Sequence, residues 1–181
     1  MNTPAFFQRL GLAVSGFWLL ALGACGHSAD DGRPTQAYAQ LLRTLYRGTV
    51  PLVQPTQLAA TLHSNPTSVL LLDTRTPAEY RISHLQGARF VDFSTFEQAE
   101  FAELPRNRTV IVYCSVGYRS ERVGERLKAL GFRDVRNLYG GIFQWVNEGH
   151  PVYNGQGLTQ DVHPYSALWS TWLTKGRKVY E

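Results

Sequence analysis

The chain has 181 residues, 44% of them hydrophobic, and 18 basic against 14 acidic side chains give a formal net charge of +4. This hydrophobic content is enough for a core, and the length is typical of one modest globular domain. The basic residues are scattered, without a basic run or interleaved aromatic residues, which argues against a nucleic acid partner.

The first 24 residues predict an export signal. Met1–Arg9 carries one positive side chain, and Leu10–Ala24 carries no charge. Fifteen helical residues span about 22 Å, which is short of the roughly 30 Å of a hydrocarbon core. A secretory signal is therefore favoured over a permanent transmembrane helix.

The end of this apolar run resembles the lipobox of bacterial lipoproteins. It reads Leu22-Gly23-Ala24-Cys25, and the resemblance implies that Cys25 is the acylated first residue of the mature protein. Such a lipid anchor predicts attachment in the bacterial cell envelope, facing the periplasm, with the outer membrane preferred because Gly26 is not an aspartate. The alternative is an ordinary cleaved signal or a short membrane anchor, with Cys25 incidental.

The following residues predict alternating helices and strands. After a polar linker at Ser28–Pro34, Thr35 is expected to cap a helix over Gln36–Arg47 that ends at Gly48. Further helices are predicted at Thr56–His63, Pro77–Ile82 and Arg119–Leu130, and strands at Val69–Leu72, Arg89–Asp92, Val110–Tyr113 and Asp134–Leu138. This alternation indicates an α/β fold with a central, mostly parallel sheet of about five strands flanked by helices.

The segment TVIVYCSVGYRS at 109–120 places a cysteine between a strand and a helix. Cys114 follows a β-branched run at the strand's carboxyl end, the edge where open parallel sheets bind ligands. Loop N–H groups and the positive end of the next helix favour the thiolate of such a cysteine. Positive charge that attracts a small anionic substrate is expected from Arg119, Arg122 and Arg126.

Four motifs, in this order along the chain, resemble the single-domain rhodaneses, or thiosulfate sulfurtransferases. They are LLLDTRTPAEY at 70–80, HLQGA at 84–88, CSVGYRS at 114–120 and LYGGIFQWVNEGHPV at 138–152. The resemblance implies a rhodanese-like domain over 55–152, preceded by the signal at 1–24 and by a linker and helix at 25–54, and followed by an extension at 153–181. Ser83 departs from the glycine of many members, which is expected to affect a turn only.

The resemblance implies a sulfur transfer that needs no metal or organic cofactor. Cys114 is the expected nucleophile: it takes the outer sulfur of thiosulfate or a related donor, forms a persulfide and passes the sulfur to a thiol or cyanide. Substrate-binding roles are implied for the rest of the loop, whose backbone N–H groups would stabilise the persulfide: Ser115, Val116, Gly117, Tyr118, Arg119 and Ser120.

Other functions remain open from the residues alone. Phosphatases and arsenate reductases of the same fold place five residues between the cysteine and a phosphate-gripping arginine. Here four residues separate Cys114 from Arg119, and Ser120 stands where that arginine would be, which favours sulfur transfer. A second alternative is a tethered persulfide- or partner-binding module without turnover, and a third is that Cys114 is a buried structural residue.

Several other polar residues receive structural interpretations. Asp73, Arg75 and Glu79 are expected to brace the sheet edge through ion pairs rather than to orient a ligand. The histidines show no metal-ligand spacing, so hydrogen-bonding and surface roles are expected for His27, His63, His84, His150 and His163.

The carboxyl-terminal extension predicts one more helix. Its apolar residues have helical spacing: Tyr165, Leu168, Trp169, Trp172 and Leu173. We expect this face to pack back on the domain, with a lid over the Cys114 loop or a contact with a membrane or partner as alternatives.

Overall fold

The computed structural model of this chain describes Gly32, residues 34–97, Phe101 and residues 103–180. The export signal at 1–24, Cys25 and most of the polar linker lie outside the described residues, so they remain predictions. No helix within the described ranges is long and apolar enough to cross a membrane.

Five parallel strands form a central sheet in the order β1-β5-β4-β2-β3. The strands are β1 (Leu52–Val53), β2 (Val69–Asp73), β3 (Arg89–Phe90), β4 (Thr109–Tyr113) and β5 (Asp134–Leu138). The helices are α1 (Gln36–Leu45), α2 (Pro55–Ser64), α3 (Pro77–Ile82), α4 (Tyr118–Ala129) and α5 (Gly141–Asn147). This confirms the predicted α/β fold with a parallel sheet.

Strands β2 and β4 are apolar except at Asp73 and Thr109, because both faces of the sheet are covered there. Alternate side chains of β4 enter separate cores: Ile111 and Tyr113 lie in one, Val110 and Val112 in the other. The thiol loop that follows β4 therefore starts from the most deeply packed strand of the sheet.

The start of α1 is capped as the sequence predicts, but the helix ends at Leu45 and not at Arg47, because Tyr46 is already extended. The Thr35 side chain accepts a hydrogen bond from the N–H of Tyr38 at 3.2 Å and so caps α1. Thr76 and Glu79 form a reciprocal capping box on α3. Gly131, at φ +87°, follows the end of α4 in the left-handed conformation that glycine tolerates.

The predicted helix of the extension is wrong. The extension consists of a hairpin, β6 (Val152–Asn154) with β7 (Gly157–Thr159), a parallel pair, β8 (Asp161–Val162) with β9 (Arg177–Lys178), and one 3₁₀ turn, Trp169–Trp172. Tyr165, the first residue of the predicted apolar face, adopts φ +65°, which an α-helix does not contain. The i, i+3 spacing therefore reflects a 3₁₀ turn and not an α-helical face.

The extension still packs on the domain, as expected. Leu173 is fully buried in one of the two sheet cores, where Trp169 and Trp172 also pack. The Asn147 side chain at the end of α5 donates to the carbonyl of Trp172 at 2.8 Å and accepts from the N–H of Thr174 at 2.8 Å. The segment is thereby fixed beside the carboxyl edge of the sheet.

Candidate active site

The thiol of Cys114 lies directly after the central strand β4, at the floor of a cleft. The residue is only 1% exposed, yet it lines the cleft. The backbone N–H of Gly117 donates to its Sγ at 3.1 Å. Gly117 adopts φ +98°, and a Cβ there would lie 2.4 Å from the Tyr46 hydroxyl, so the loop requires glycine at this position. The loop conformation thereby directs a backbone N–H donor at the sulfur.

Helix α5 holds the beginning of the loop through its own first N–H groups. Ile142 N–H donates to the carbonyl of Cys114 at 2.9 Å, and Phe143 N–H donates to that of Ser115 at 3.1 Å. A Cβ on Gly141 would lie 2.3 Å from the Cys114 carbonyl oxygen. The Gly-Gly pair of the sequence thus permits the close approach that joins α5 to the loop.

Side chains from α1 and β5 hold the middle of the loop. The Tyr46 hydroxyl, just after α1, donates to the carbonyl of Val116 at 2.8 Å. The Asn137 amide on β5 donates to the carbonyl of Gly117 at 2.9 Å. Ser120 is fully buried and its hydroxyl donates to Oδ1 of Asn137 at 2.7 Å, so its side chain braces the loop and does not line the cleft.

Glu79 on α3 joins the loop from the opposite side. Its Oε1 accepts from the Ser115 hydroxyl at 2.6 Å and from Nη2 of Arg119 at 2.8 Å, while Oε2 accepts from Nη1 at 3.0 Å. Burial alone would raise the pKa of Glu79, but the Arg119 hydrogen bonds and charge outweigh it and lower the pKa from 4.5 to about 2. Glu79 is therefore a carboxylate that fixes the loop's arginine.

The expected bracing of the sheet edge has two parts. Asp73 and Arg75 form a fully buried ion pair at 2.7 Å, and Arg75 also donates to the carbonyl of Ser83. Glu79, grouped with them in the sequence, instead contacts the Cys114 loop. The capping-box pattern Thr76-x-x-Glu79 is the signal that places it in the first turn of a helix at the carboxyl edge of β2.

The three arginines expected to attract an anionic substrate are each paired with a carboxylate in the structure. The Arg119 guanidinium forms an ion pair with Glu79, with 2.8 Å between Nη2 and Oε1. Arg122 lies 3.4 Å from Glu125, and Arg126 lies 3.4 Å from Glu97. Each arginine has a carboxylate partner because α4 alternates acidic and basic residues along its exposed face and reaches acidic residues on neighbouring segments.

The cleft above Cys114 has a volume of about 740 Å³. Its lining includes four of the expected loop residues, Ser115, Val116, Tyr118 and Arg119. It also includes residues that the sequence did not single out as site residues: Leu45, Thr76, Pro77, Asp92, Phe93, Ser94, Tyr165 and Trp169. In the described part of the chain, no group of three or more His, Cys, Asp or Glu side chains is placed to hold a metal ion.

Fold and site together define an α/β domain whose cleft holds a cysteine directly after a central strand, with a backbone N–H donor at its sulfur. The family profile of the rhodanese-like domain matches residues 54–148, which is more than half of the chain. The chain belongs to the rhodanese-like domain family.

Curated relatives match about half of the chain. A sulfurtransferase from Allochromatium vinosum is 35% identical over 89 residues, covering 49% of this chain and 82% of the relative. The probable adenylyltransferase/sulfurtransferase MoeZ of Mycobacterium tuberculosis is 38% identical over 82 residues, which are 45% of this chain but only 21% of MoeZ. A tRNA uridine(34) hydroxylase from Teredinibacter turnerae is 32% identical over 108 residues, 55% of this chain and 33% of the relative. The chain thus spans a small part of the two larger relatives.

Solved structures share the fold. The rhodanese-like domain of the Alr3790 protein from Anabaena aligns with a TM-score of 0.52 at 24% identity, over 57% of this chain and 79% of that domain. A Rhodopseudomonas palustris protein described as a possible tyrosine phosphatase aligns with a TM-score of 0.53 at 20% identity, over 66% of this chain and 96% of that protein. At these identities the likeness concerns the fold alone.

Proposed function

We propose that the protein is a sulfurtransferase that moves a sulfane sulfur from thiosulfate or a similar donor, through a persulfide on Cys114, to a thiol or cyanide acceptor. The observation that carries the proposal is the Cys114 thiol itself, at the floor of a cleft with the Gly117 N–H at 3.1 Å from Sγ. Similarity to relatives named as sulfurtransferases adds support.

The first half-reaction forms the persulfide. The Cys114 thiolate attacks the outer sulfur of the donor, the new Sγ–S bond forms, and the donor's S–S bond breaks with its electron pair on the leaving sulfite. The N–H of Gly117 stabilises negative charge on the sulfur. Glu79 keeps Arg119 and Ser115 in place throughout, because all three groups are joined by hydrogen bonds of 2.6–3.0 Å.

The second half-reaction returns the enzyme to its thiolate. The acceptor's sulfur or carbon attacks the outer sulfur of the persulfide, and the electron pair of the breaking S–S bond returns to Sγ. The cycle leaves no net change of oxidation state in the protein, so it needs no redox cofactor.

The length of the loop argues against phosphate chemistry. Arg119 is held by Glu79, and the next residue, Ser120, is bonded to Asn137 inside the core. An arginine that grips a phosphate needs guanidinium donors aimed at the oxyanion. Sulfur transfer, in which one added sulfur sits in the cradle, suits this shorter loop better.

Mass spectrometry of the intact full chain, purified in detergent and reduced beforehand, tests the proposal. Thiosulfate is expected to add one sulfur to the wild type and none to Cys114→Ser, and cyanide is expected to remove it. The Cys114→Ser variant must melt like the wild type. A reduced wild type that gains no sulfur would contradict the thiosulfate mechanism, and partner capture that survives Cys114→Ser would favour a docking module.

We also propose that Cys25 carries the lipid that holds the protein in the cell envelope, facing the periplasm. The support is the sequence Leu22-Gly23-Ala24-Cys25 at the end of an uncharged run. Radiolabelled palmitate is expected to enter the wild type and not Cys25→Ser when each is expressed in a bacterium. Equal labelling of the two proteins would refute this anchor.

A further inference from the structure

Aromatic rings form much of the wall above the Cys114 thiol. Four of them line the cleft: Phe93, Tyr118, Tyr165 and Trp169. Tyr118 and Tyr165 remain 43% and 49% exposed, so these two rings are available to contact a ligand. Exposed rings around a concave site are typical of surfaces that bind an apolar or aromatic group.

The charges of the cleft do not suit a small dianion. Among its described lining residues, the ionisable acid and base side chains other than the thiol are Asp92, Arg119 and the tyrosines. Arg119 is the one cationic side chain among them: it pairs with Glu79 at 2.8 Å, and although burial opposes its charge, the Cys114 sulfur and Glu79 outweigh burial and raise its pKa. Among the described residues, the Asp92 side chain accepts from Ser94, at 2.7 and 2.8 Å. A dianionic donor would therefore have to share Arg119 with Glu79 and the Cys114 sulfur, close to the Asp92 carboxylate.

The backbone of Tyr165 directs its ring to this site. Tyr165 adopts φ +65°, a conformation that costs energy for a residue with a Cβ. Its N–H donates to Nδ1 of His163 at 3.0 Å, and its ring lies 4.9 Å from the Arg119 guanidinium carbon. The contact with Arg119 sets this ring of the extension directly against the thiol loop.

The volume also exceeds what a small inorganic ion fills. Pockets that enclose drug-sized organic ligands are typically about 300–1,000 Å³, and this cleft of about 740 Å³ lies in that range. An inorganic donor such as thiosulfate would leave the aromatic wall in contact with water, whereas a ring or alkyl group beside the transferred sulfur would cover it.

We infer that the cleft takes an organic sulfane-sulfur donor whose non-transferred group is apolar or aromatic, and that Tyr165 and Trp169 select this group. The inference rests on the proposed function, because it names the donor of the same thiol. For a thiosulfonate, the Cys114 thiolate attacks the outer sulfur, the Sγ–S bond forms, and the donor's S–S bond breaks with its electron pair on the departing sulfinate.

Three donors that differ only beside the transferred sulfur test the inference: benzenethiosulfonate, methanethiosulfonate and thiosulfate. The full chain in detergent is assayed for kcat/KM with cyanide as acceptor, the rate with Cys114→Ser is subtracted, and each value is divided by the donor's rate with free cysteine. We expect benzenethiosulfonate to exceed methanethiosulfonate about tenfold or more, with thiosulfate lowest.

Two variants test whether the extension causes this preference for the phenyl donor. Tyr165→Asn removes the ring but keeps a residue type that tolerates positive φ, and Trp169→Ala removes the second ring at a partly exposed position. Each is expected to lower kcat/KM for benzenethiosulfonate about tenfold, mainly through KM, and to leave methanethiosulfonate within about twofold. The matched control is Leu168→Ala, in the same segment but 78% exposed and outside the cleft lining.

The outcomes separate this inference from the proposed function. Failure of all three donors to place sulfur on Cys114 would refute the proposed sulfur transfer itself. Sulfur transfer with equal normalised rates for the phenyl and methyl donors would overturn the inference alone. So would an equal loss with every donor in both variants, because that result indicates a structural role for the rings. Because the wild-type comparison needs no variant, a misfolded substitution cannot leave the question open.

Discussion

The thiol loop and the carboxyl-terminal extension border the same cleft but are built differently. The loop at 114–120 is a polar structure in which backbone groups and buried side chains satisfy one another. The extension contributes rings, with Tyr165 and Trp169 on the cleft and Leu173 anchored in the core. The loop lies inside the family match at 54–148, and the extension lies beyond it. Under the two proposals above, the loop performs the chemistry and the extension selects the substrate.

The largest expected effect on sulfur transfer is that of Gly117→Ala in the thiol loop. The new Cβ would lie 2.4 Å from the Tyr46 hydroxyl and 2.8 Å from its ring, at φ +98°. Either the loop or the Tyr46 side chain that holds its Val116 carbonyl must shift, and we expect both changes to displace the N–H from Sγ. Because loss of one such donor costs on the order of 100-fold in rate, we expect sulfur transfer to fall at least about 100-fold with every donor. Steady-state turnover with thiosulfate and with benzenethiosulfonate measures this.

Gly87→Ala is the matched control for Gly117→Ala. Gly87 also has positive φ, +74°, but a Cβ there would meet nothing within 4 Å. It should cost only the backbone strain, about 1–2 kcal/mol of unfolding free energy, and leave turnover within about twofold. Equal turnover for Gly117→Ala and Gly87→Ala would show that the Gly117 N–H does not matter to the chemistry.

The second largest effect is expected for Glu79→Ala, which removes the carboxylate that binds both Arg119 and Ser115 of the loop. Arg119 and Ser115 would lose a partner whose side chain is fully buried, and breaking such a pair costs about 3–5 kcal/mol. Urea unfolding measures the change. The control is Glu97→Ala, which breaks the more exposed ion pair with Arg126. We expect this variant to lose about 0–1 kcal/mol of unfolding free energy. Similar losses for the two variants would contradict the role of Glu79.

The pH dependence of folding stability tests the same role of Glu79. Burial opposes ionisation of Glu79, but Arg119 lowers its pKa from 4.5 to about 2 in the folded protein. The stabilisation, on the order of 3 kcal/mol, is therefore complete above the unfolded pKa and is lost as pH falls from about 4.5 through 2. The stability difference between wild type and Glu79→Gln should narrow over this window. A difference that stays constant from pH 6 to pH 2.5 would refute the assignment.

The smallest expected effect concerns the anchoring of the extension. Asn147→Ala removes the hydrogen bonds to Trp172, Thr174 and Lys175, which costs about 2 kcal/mol of unfolding free energy. Thiosulfate turnover should stay within about twofold, while the preference for benzenethiosulfonate should weaken. Gln156→Ala, on the exposed hairpin, is the control. An equal loss of turnover with both donors would mean that the extension also supports the loop's chemistry.

The sequence predicted the parts of the site that depend on neighbouring residues. The apolar run before Cys114 and the glycine after it place the thiol at the end of a central strand, and the structure agrees. It could not predict the pairing of Glu79 with Ser115 and Arg119, because these residues are 36 and 40 positions apart. Nor could it show that the arginines of α4 would all find carboxylates.

The sequence by itself determined the order of helices and strands, the position of Cys114 and the glycines of its loop, since apolar runs, caps and backbone freedom act locally. Only the tertiary structure decided what surrounds the thiol: Tyr46 reaches the loop from 70 residues away, and Tyr165 reaches Arg119 from the extension. The prediction of a helix in the extension was wrong because the apolar side chains of this segment contact two different surfaces, the core and the cleft. A single helical period does not describe contacts with both.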